Sequence, residues 1–227
     1  LDQNAVNNQF SSKGSLGLHL LAGLIVFATM TLTLGEISED IINREPLTVA
    51  DTQLSTWLHV HGSRPITTVM LISTSLGATW TVTCVAVGVL VYLLWRRRLY
   101  WFAAVASSVF GGMLLNKILK YAFHRARPHF DDPILRLTSY SFPSGHTMMA
   151  TVLYGVLAAY LLAETKDWRR RALIILAAGF LIVLVGFSRI YLGAHYLSDV
   201  LGATAEGLAW LSLCLTVVYS VWRKRNG

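Results

Sequence analysis

The sequence predicts an all-α, polytopic membrane protein with six transmembrane helices and a short extracytoplasmic helix lying at the interface. Three observations carry that expectation. The 227-residue chain is 54% hydrophobic and only 14% charged, with a mean hydropathy of +0.53, too apolar for an ordinary soluble domain. Several runs reach the roughly 20 apolar residues a helix needs to cross a bilayer core. The runs are continuous, which excludes the alternating segments of roughly 10 residues that build a transmembrane barrel.

The polar start, "LDQNAVNNQFSSKGS" (1–15), reads as a tail ahead of one membrane domain, 16–227. The first span is expected at 16–35; its length, and the lack of a small-residue cleavage site after it, set it apart from a signal peptide. In "DTQLSTWLHVHGSRP" (51–65), Leu54, Trp57, Leu58 and His61 recur at helical spacing, with Asp51 as N-cap and Gly62 as stop. This is the expected interfacial helix, placed to guard lateral entry or simply to pack on the bundle. His59 and His61 would diverge on it, so they are not read as a metal pair.

Further spans are expected at 65–95, 100–121, 147–163, 172–191 and 197–221. Trp95, Tyr100, Trp101, Trp168 and Trp222 fall at span ends, where aromatic belts form. Cys84 and Cys214 lie inside apolar runs and read as packing residues. No repeat or second domain interrupts the pattern.

Arginine clusters at 96–98, 169–171 and 223–225 lie in alternate connections, so the positive-inside rule puts both termini in the cytoplasm. The rule is not obeyed cleanly. Lys120, Arg125, Arg127, Arg136 and Arg189 gather near span ends on the opposite face, where an anion would attract them.

Three polar clusters on that face carry chemistry, because ionisable groups beside apolar spans are costly without a partner. The first is "KYAFHRARP". Lys120 and Arg127 are seven residues apart and would share a helix face if the third span continued, but Pro128 biases Arg127 out of the helix, so it is expected to curl back from the end. The second is "PSGH", where Pro143 and Gly145 make a tight turn ahead of a helix. Its backbone N–H groups and the Ser144 hydroxyl form an anion cradle, with His146 placed to donate a proton. A plain Ser144 cap is the alternative. The third is "SRIYLGAHYLSD", where His195 and Asp199 are one helical turn apart, so the carboxylate can orient the imidazole, and Arg189 adds a fork suited to phosphate oxygens.

In this order, Lys-x6-Arg-Pro, Pro-Ser-Gly-His and Ser-Arg-x5-His-x3-Asp resemble the tripartite signature of the type 2 phosphatidic acid phosphatase superfamily, with no motif position departing from it. The resemblance covers 120–199 and, through the six-span layout, most of the chain. It implies that His195 is a nucleophile forming a phosphohistidine, that Asp199 holds its tautomer, and that His146 protonates the leaving oxygen and then activates water. Lys120, Arg127 and Arg189, helped by Ser144 and the Gly145 N–H, would hold the phosphoryl oxygens, with Pro128, Pro143 and Ser188 in support. No metal or other cofactor is implied.

Soluble vanadate-dependent haloperoxidases share the constellation, but six spans argue against them. An anion or lipid transporter would explain the cations, but not two histidines and an aspartate at this spacing. The expected substrate is a membrane lipid phosphate, with no nucleic acid and no obligate protein partner. Undecaprenyl pyrophosphate is favoured over phosphatidylglycerophosphate, phosphatidic acid or lipid A, and transfer to another lipid is the alternative to hydrolysis. The expected location is a bacterial inner membrane, with the site on the periplasmic face.

Overall fold

The computed structural model describes residues 3–44, 46–135 and 137–226, and every regular element among them is helical. Arg136, one of the outer-face cations, lies outside the described residues. The helices are α1 (Gln3–Asn43), α2 (Pro46–Val60), α3 (Arg64–Ser75), α4 (Thr79–Trp95) and α5 (Leu99–Ala106), then α6 (Gly112–Phe123), α7 (Gly145–Glu164), α8 (Trp168–Tyr191) and α9 (Leu197–Asn226). Five stretches are each long and apolar enough to cross a membrane: Leu20–Asn43, Leu99–Phe123, Gly145–Glu164, Trp168–Tyr191 and Leu197–Lys224. Helices α3 and α4 are long and apolar enough only together, bent by 42° at their break, and taken as one broken span they bring the number of crossings to six.

Two boundaries differ from the sequence expectation. The first span does not stop at Gly35; α1 continues to Asn43, because one glycine costs a helix only about 1 kcal/mol and does not end it. The second span is broken at 76–78, where sequence periodicity gave no sign of a bend.

Membrane exposure inverts the usual helix pattern. On α8, Leu173, Leu176, Phe180 and Val183 form a stripe at spacings of three and four, and each is more than 60% exposed. The opposite side packs inward, and the main core joins Val82 and Ala86 of α4, Val105 of α5, Val152 and Val156 of α7, and Ala203 of α9.

The third crossing contains a π-helical turn, Ser107–Gly111, between α5 and α6. Such a turn frees carbonyls from the regular ladder. The indole of Trp210 on α9 donates to two of them, Ser107 at 3.2 Å and Ser108 at 3.1 Å.

The bend between α3 and α4 is held at three points. Thr74 accepts a hydrogen bond from Arg189, the Leu76 carbonyl accepts one from Tyr154, and Gly77 lies against the backbone of His146. A Cβ on Gly77 would lie 2.6 Å from the His146 carbonyl oxygen and 2.5 Å from a Val185 methyl. Overpacking of that kind typically costs about 1–3 kcal/mol. Gly77→Ala should therefore lower the melting temperature in detergent and slow any reaction that uses His146. Gly88→Ala, with nothing within 4 Å of the added carbon, should do neither.

Candidate active site

The C-terminal ends of α6 and α8 and the N-terminal ends of α7 and α9 meet on one face, with α2 lying across them. Each end is set by local chemistry. Helix α6 stops at Phe123, and His124 takes a left-handed conformation (φ 49°) with its N–H on the Lys120 carbonyl at 3.2 Å. Lys120 and Arg127 therefore do not share a helix face. Arg127 arrives from the irregular stretch beyond, ahead of Pro128, as the bias before proline suggested.

Both cations turn toward the segment 139–141. Lys120 Nζ donates to the Tyr140 carbonyl at 2.9 Å, and Arg127 donates to the Ser139 carbonyl at 2.6 Å and the Tyr140 carbonyl at 3.2 Å. Arg127 Nη1 also meets His195 Nε2 at 3.1 Å. A guanidinium can only donate, so Nε2 carries the lone pair.

The other ring nitrogen faces Asp199. His195 Nδ1 lies 3.3 Å from Oδ2, which fixes the proton on Nδ1 and leaves the lone pair on Nε2. The pair does not sit on one helical turn, however, since α9 begins at Leu197 and His195 precedes it. Asp199, in the third helical position, reaches back to accept from the Tyr196 N–H at 2.9 Å, the N-terminal half of a capping box. Its Oδ2 also accepts from the Ser141 hydroxyl, and its Oδ1 from Arg125 at 2.6 Å. With its acceptor sites this well used, Asp199 holds the imidazole without taking its proton.

His195 is 1% exposed. Burial pushes its imidazole down to about 3, against the opposing pull of Asp199, and the charges of Arg127 and Arg189 add to the fall. Burial likewise lowers Arg127 from the usual arginine range, partly offset by Asp199.

Arg189 is 3% exposed on the last turn of α8. Its Nη1 donates to Thr74 at 2.8 Å, while its Nε is buried with no hydrogen-bond partner, a donor available to an anion. Ser188 beside it bonds back to the Val185 carbonyl at 2.6 Å and does not reach the site.

Helix α7 begins at Gly145 after a cis Phe142–Pro143 peptide, with Ser144 in the cap position. Ser144 makes no cap bond with its side chain; its hydroxyl accepts from Thr147 at 3.0 Å and its N–H donates to the Asp199 carbonyl at 3.1 Å. The expected anion cradle would therefore begin with the Gly145 N–H. A Cβ on Gly145 would come within 3.3 Å of Asn116 Oδ1. His146 stands next in line, in the field of Arg189, Arg127 and Lys120, and its ring makes no hydrogen bond among the described residues.

Sequence reasoning missed several partners. Asp51 is not the cap of α2, which begins at Pro46; it lies 1% exposed on the inner face with Ser55 and Leu58, while Trp57 points outward. Asp51 accepts from Arg125 at 2.8 Å and from the Ser198 N–H at 2.9 Å. Arg125, seen only as one more cation, thus bridges Asp51 and Asp199. Beneath the cradle, Asn116 donates to Glu206 at 2.9 Å, both buried. Glu206 had looked like part of an ordinary span. His59 pairs with Asp132 at 2.9 Å and stacks on Phe130, and His61 stacks on Trp57.

The PAP2 superfamily model matches residues 101–223, more than half of the chain. The chain belongs to the PAP2 superfamily. Phosphatidylglycerophosphatase B of Bacillus subtilis is 42% identical over 113 residues, 49% of this chain and 55% of that protein. Lipid A 1-phosphatase of Rhizobium etli is 38% identical over 123 residues, 50% of this chain and 48% of that one. The chain spans about half the length of these curated relatives. The crystal structure of a transmembrane PAP2 type phosphatidylglycerolphosphate phosphatase from Bacillus subtilis superposes with a TM-score of 0.71 at 28% identity, covering 89% of this chain and 96% of that one. As a PAP2 member, the chain carries a multi-span membrane fold of lipid phosphatases.

Two measurements follow from this geometry. The folded value of His195 lies below the ordinary value near 6.5, so the unfolded chain takes up the proton first, and stability attached to the neutral ring falls as pH drops below about 6.5. NMR of histidine-labelled protein should show His195 unprotonated from about pH 8 to 5, with Nε2 as the bare nitrogen; a midpoint near 6.5 would contradict the burial. Arg125→Gln would leave two buried carboxylates facing each other, and removing one partner of a buried pair costs about 3–5 kcal/mol. A sharp fall in melting temperature and at least a tenfold fall in kcat are expected. Arg98→Gln, whose pair with Glu164 is half exposed at 3.4 Å, should change neither appreciably.

Proposed function

We propose that the protein hydrolyses the phosphate ester of a membrane lipid through a phosphohistidine on His195. The observation that carries this reading is the buried, neutral His195, bonded to Asp199 at Nδ1 and facing Arg127 with Nε2.

Substrate arrival exchanges the Arg127 contact on Nε2 for the phosphorus. The Nε2 lone pair forms the N–P bond as the P–O bond to the lipid breaks, and the leaving oxygen takes a proton from His146. The charge building on the phosphoryl oxygens is met by Lys120, Arg127, the unpartnered Nε of Arg189 and the N–H groups at the start of α7. In the second step His146 takes a proton from water, whose oxygen attacks phosphorus. The N–P bond breaks, phosphate departs and His195 returns to its starting form. Every step is assigned to side chains of this protein, and EDTA is expected to leave the rate unchanged.

The relatives support phosphatidylglycerophosphate as the first substrate to test, with undecaprenyl pyrophosphate, phosphatidic acid and lipid A beside it in one phosphate-release panel. The arginine-rich turn at 96–98 and the end of α9 lie at the far end of the bundle from His195, which supports an extracytoplasmic site with cytoplasmic termini.

Leaving-group chemistry tests the roles. A general acid contributes roughly 10² to 10⁴ in rate, and mainly for a poor leaving group. His146→Ala should be severely slow on an alkyl phosphate and far less impaired on p-nitrophenyl phosphate, while His195→Gln should fail on both. Turnover by His195→Gln within tenfold of the parent would remove His195 as nucleophile.

A further inference from the structure

A cavity of about 770 Å³ opens at the end of the bundle away from His195. Its walls come from the start of the first crossing, the turn before α5, the last turn of α7 and the second half of α9. Leu20, Val26, Ala163 and Leu215 make it largely apolar, and Arg97 and Arg98 are part of its lining. Its volume is in the range of sites that enclose a small ligand.

The cavity lies where the close pair α1 and α9 faces the turn at 97–98 and the start of α5. A Cβ on Gly23 would run into Thr216 at 2.1 Å, so the two helices are in direct contact, and both residues line the cavity. Tyr100, Trp101 and Trp222 line the same end, and aromatic side chains of this kind mark the headgroup level of a bilayer. The arginines are therefore at the depth of lipid phosphates, with the apolar walls at the depth of acyl chains.

Arg97 sharpens the point. Its φ is 54°, a left-handed conformation that favours glycine in a tight turn, yet the position carries a cation. Arg98 beside it has only a half-exposed contact with Glu164 at 3.4 Å. Two adjacent cations over an apolar slot match the charge and shape of one ligand class.

We infer that this cavity binds an anionic glycerophospholipid from the leaflet opposite the active site. Its phosphate lies against Arg97 and Arg98, and an acyl chain fills the slot walled by α1, the start of α5 and α9. The inference does not depend on the proposed reaction, since none of these residues belongs to the catalytic face.

Native mass spectrometry of delipidated protein in detergent, titrated with phosphatidylglycerol or phosphatidylcholine, tests it. Wild type should retain one more phosphatidylglycerol than either the Arg97→Gln/Arg98→Gln double variant or Ala163→Trp, which fills the slot. Phosphatidylcholine should bind this site at least tenfold more weakly and be insensitive to the arginine substitutions. Lipid binding at the catalytic face is common to all three chains and cancels, and a melting temperature in detergent within a few degrees of wild type shows that the variants are folded. Equal phosphatidylglycerol retention by wild type and the double variant, or phosphatidylcholine held as tightly as phosphatidylglycerol, overturns the inference.

Discussion

One guanidinium, that of Arg125, sits between two carboxylates that are almost wholly out of water. Asp51 is 1% exposed and Asp199 is not exposed at all, and the guanidinium reaches Asp51 Oδ2 at 2.8 Å and Asp199 Oδ1 at 2.6 Å. Through Arg125 the interfacial helix, the stretch after the third crossing and the start of the last crossing are made into one unit. Ser198 closes the ring from the other side, its backbone N–H and hydroxyl both on Asp51. The ring of Tyr196 lies 4.6 Å from the Arg125 guanidinium and covers it. The orientation of His195, the proposed nucleophile, thus depends on a residue that bonds Asp199 through Oδ1, while the imidazole meets Oδ2.

Around that anchor, the positive charges are kept apart from water by different means. Lys120 and Arg127 are held by main-chain carbonyls of 139–141, which supply acceptors without neutralising charge. Arg189 is held by the hydroxyl of Thr74 in the same neutral manner. Of these four cations, Arg125 alone has carboxylate partners among the described residues. The cations with neutral partners keep their full charge for an anion, and the one with charged partners serves the framework. This division separates binding groups from supporting groups on electrostatic grounds alone.

The spans, the convergence of the three polar clusters and the pairing of His195 with Asp199 were legible in the chain, because apolar run length and fixed spacings are local properties. What was not legible depended on partners far away in sequence. Asp51 looked like a helix cap, since Asp before an apolar run usually is one, and only the approach of Arg125 and Ser198 from other crossings shows its role. The carbonyls that hold Lys120 and Arg127 have no side-chain signature. Ser188 stood inside a motif and proved to bond its own helix, because the motif spacing says nothing of which way a hydroxyl turns. The bend at 76–78 was hidden for a similar reason: Gly77 is needed there by the backbone of His146, and a span-length count is blind to such an approach.

Asp199 both receives the His195 imidazole and caps the first turn of α9 through the Tyr196 N–H. The same carboxylate therefore closes a helix end and orients an imidazole, and the two cannot be assembled separately. When the last helix acquires its first turn, the partner of His195 is delivered with it; a chain that has completed α9 has already built half of the pair proposed for catalysis.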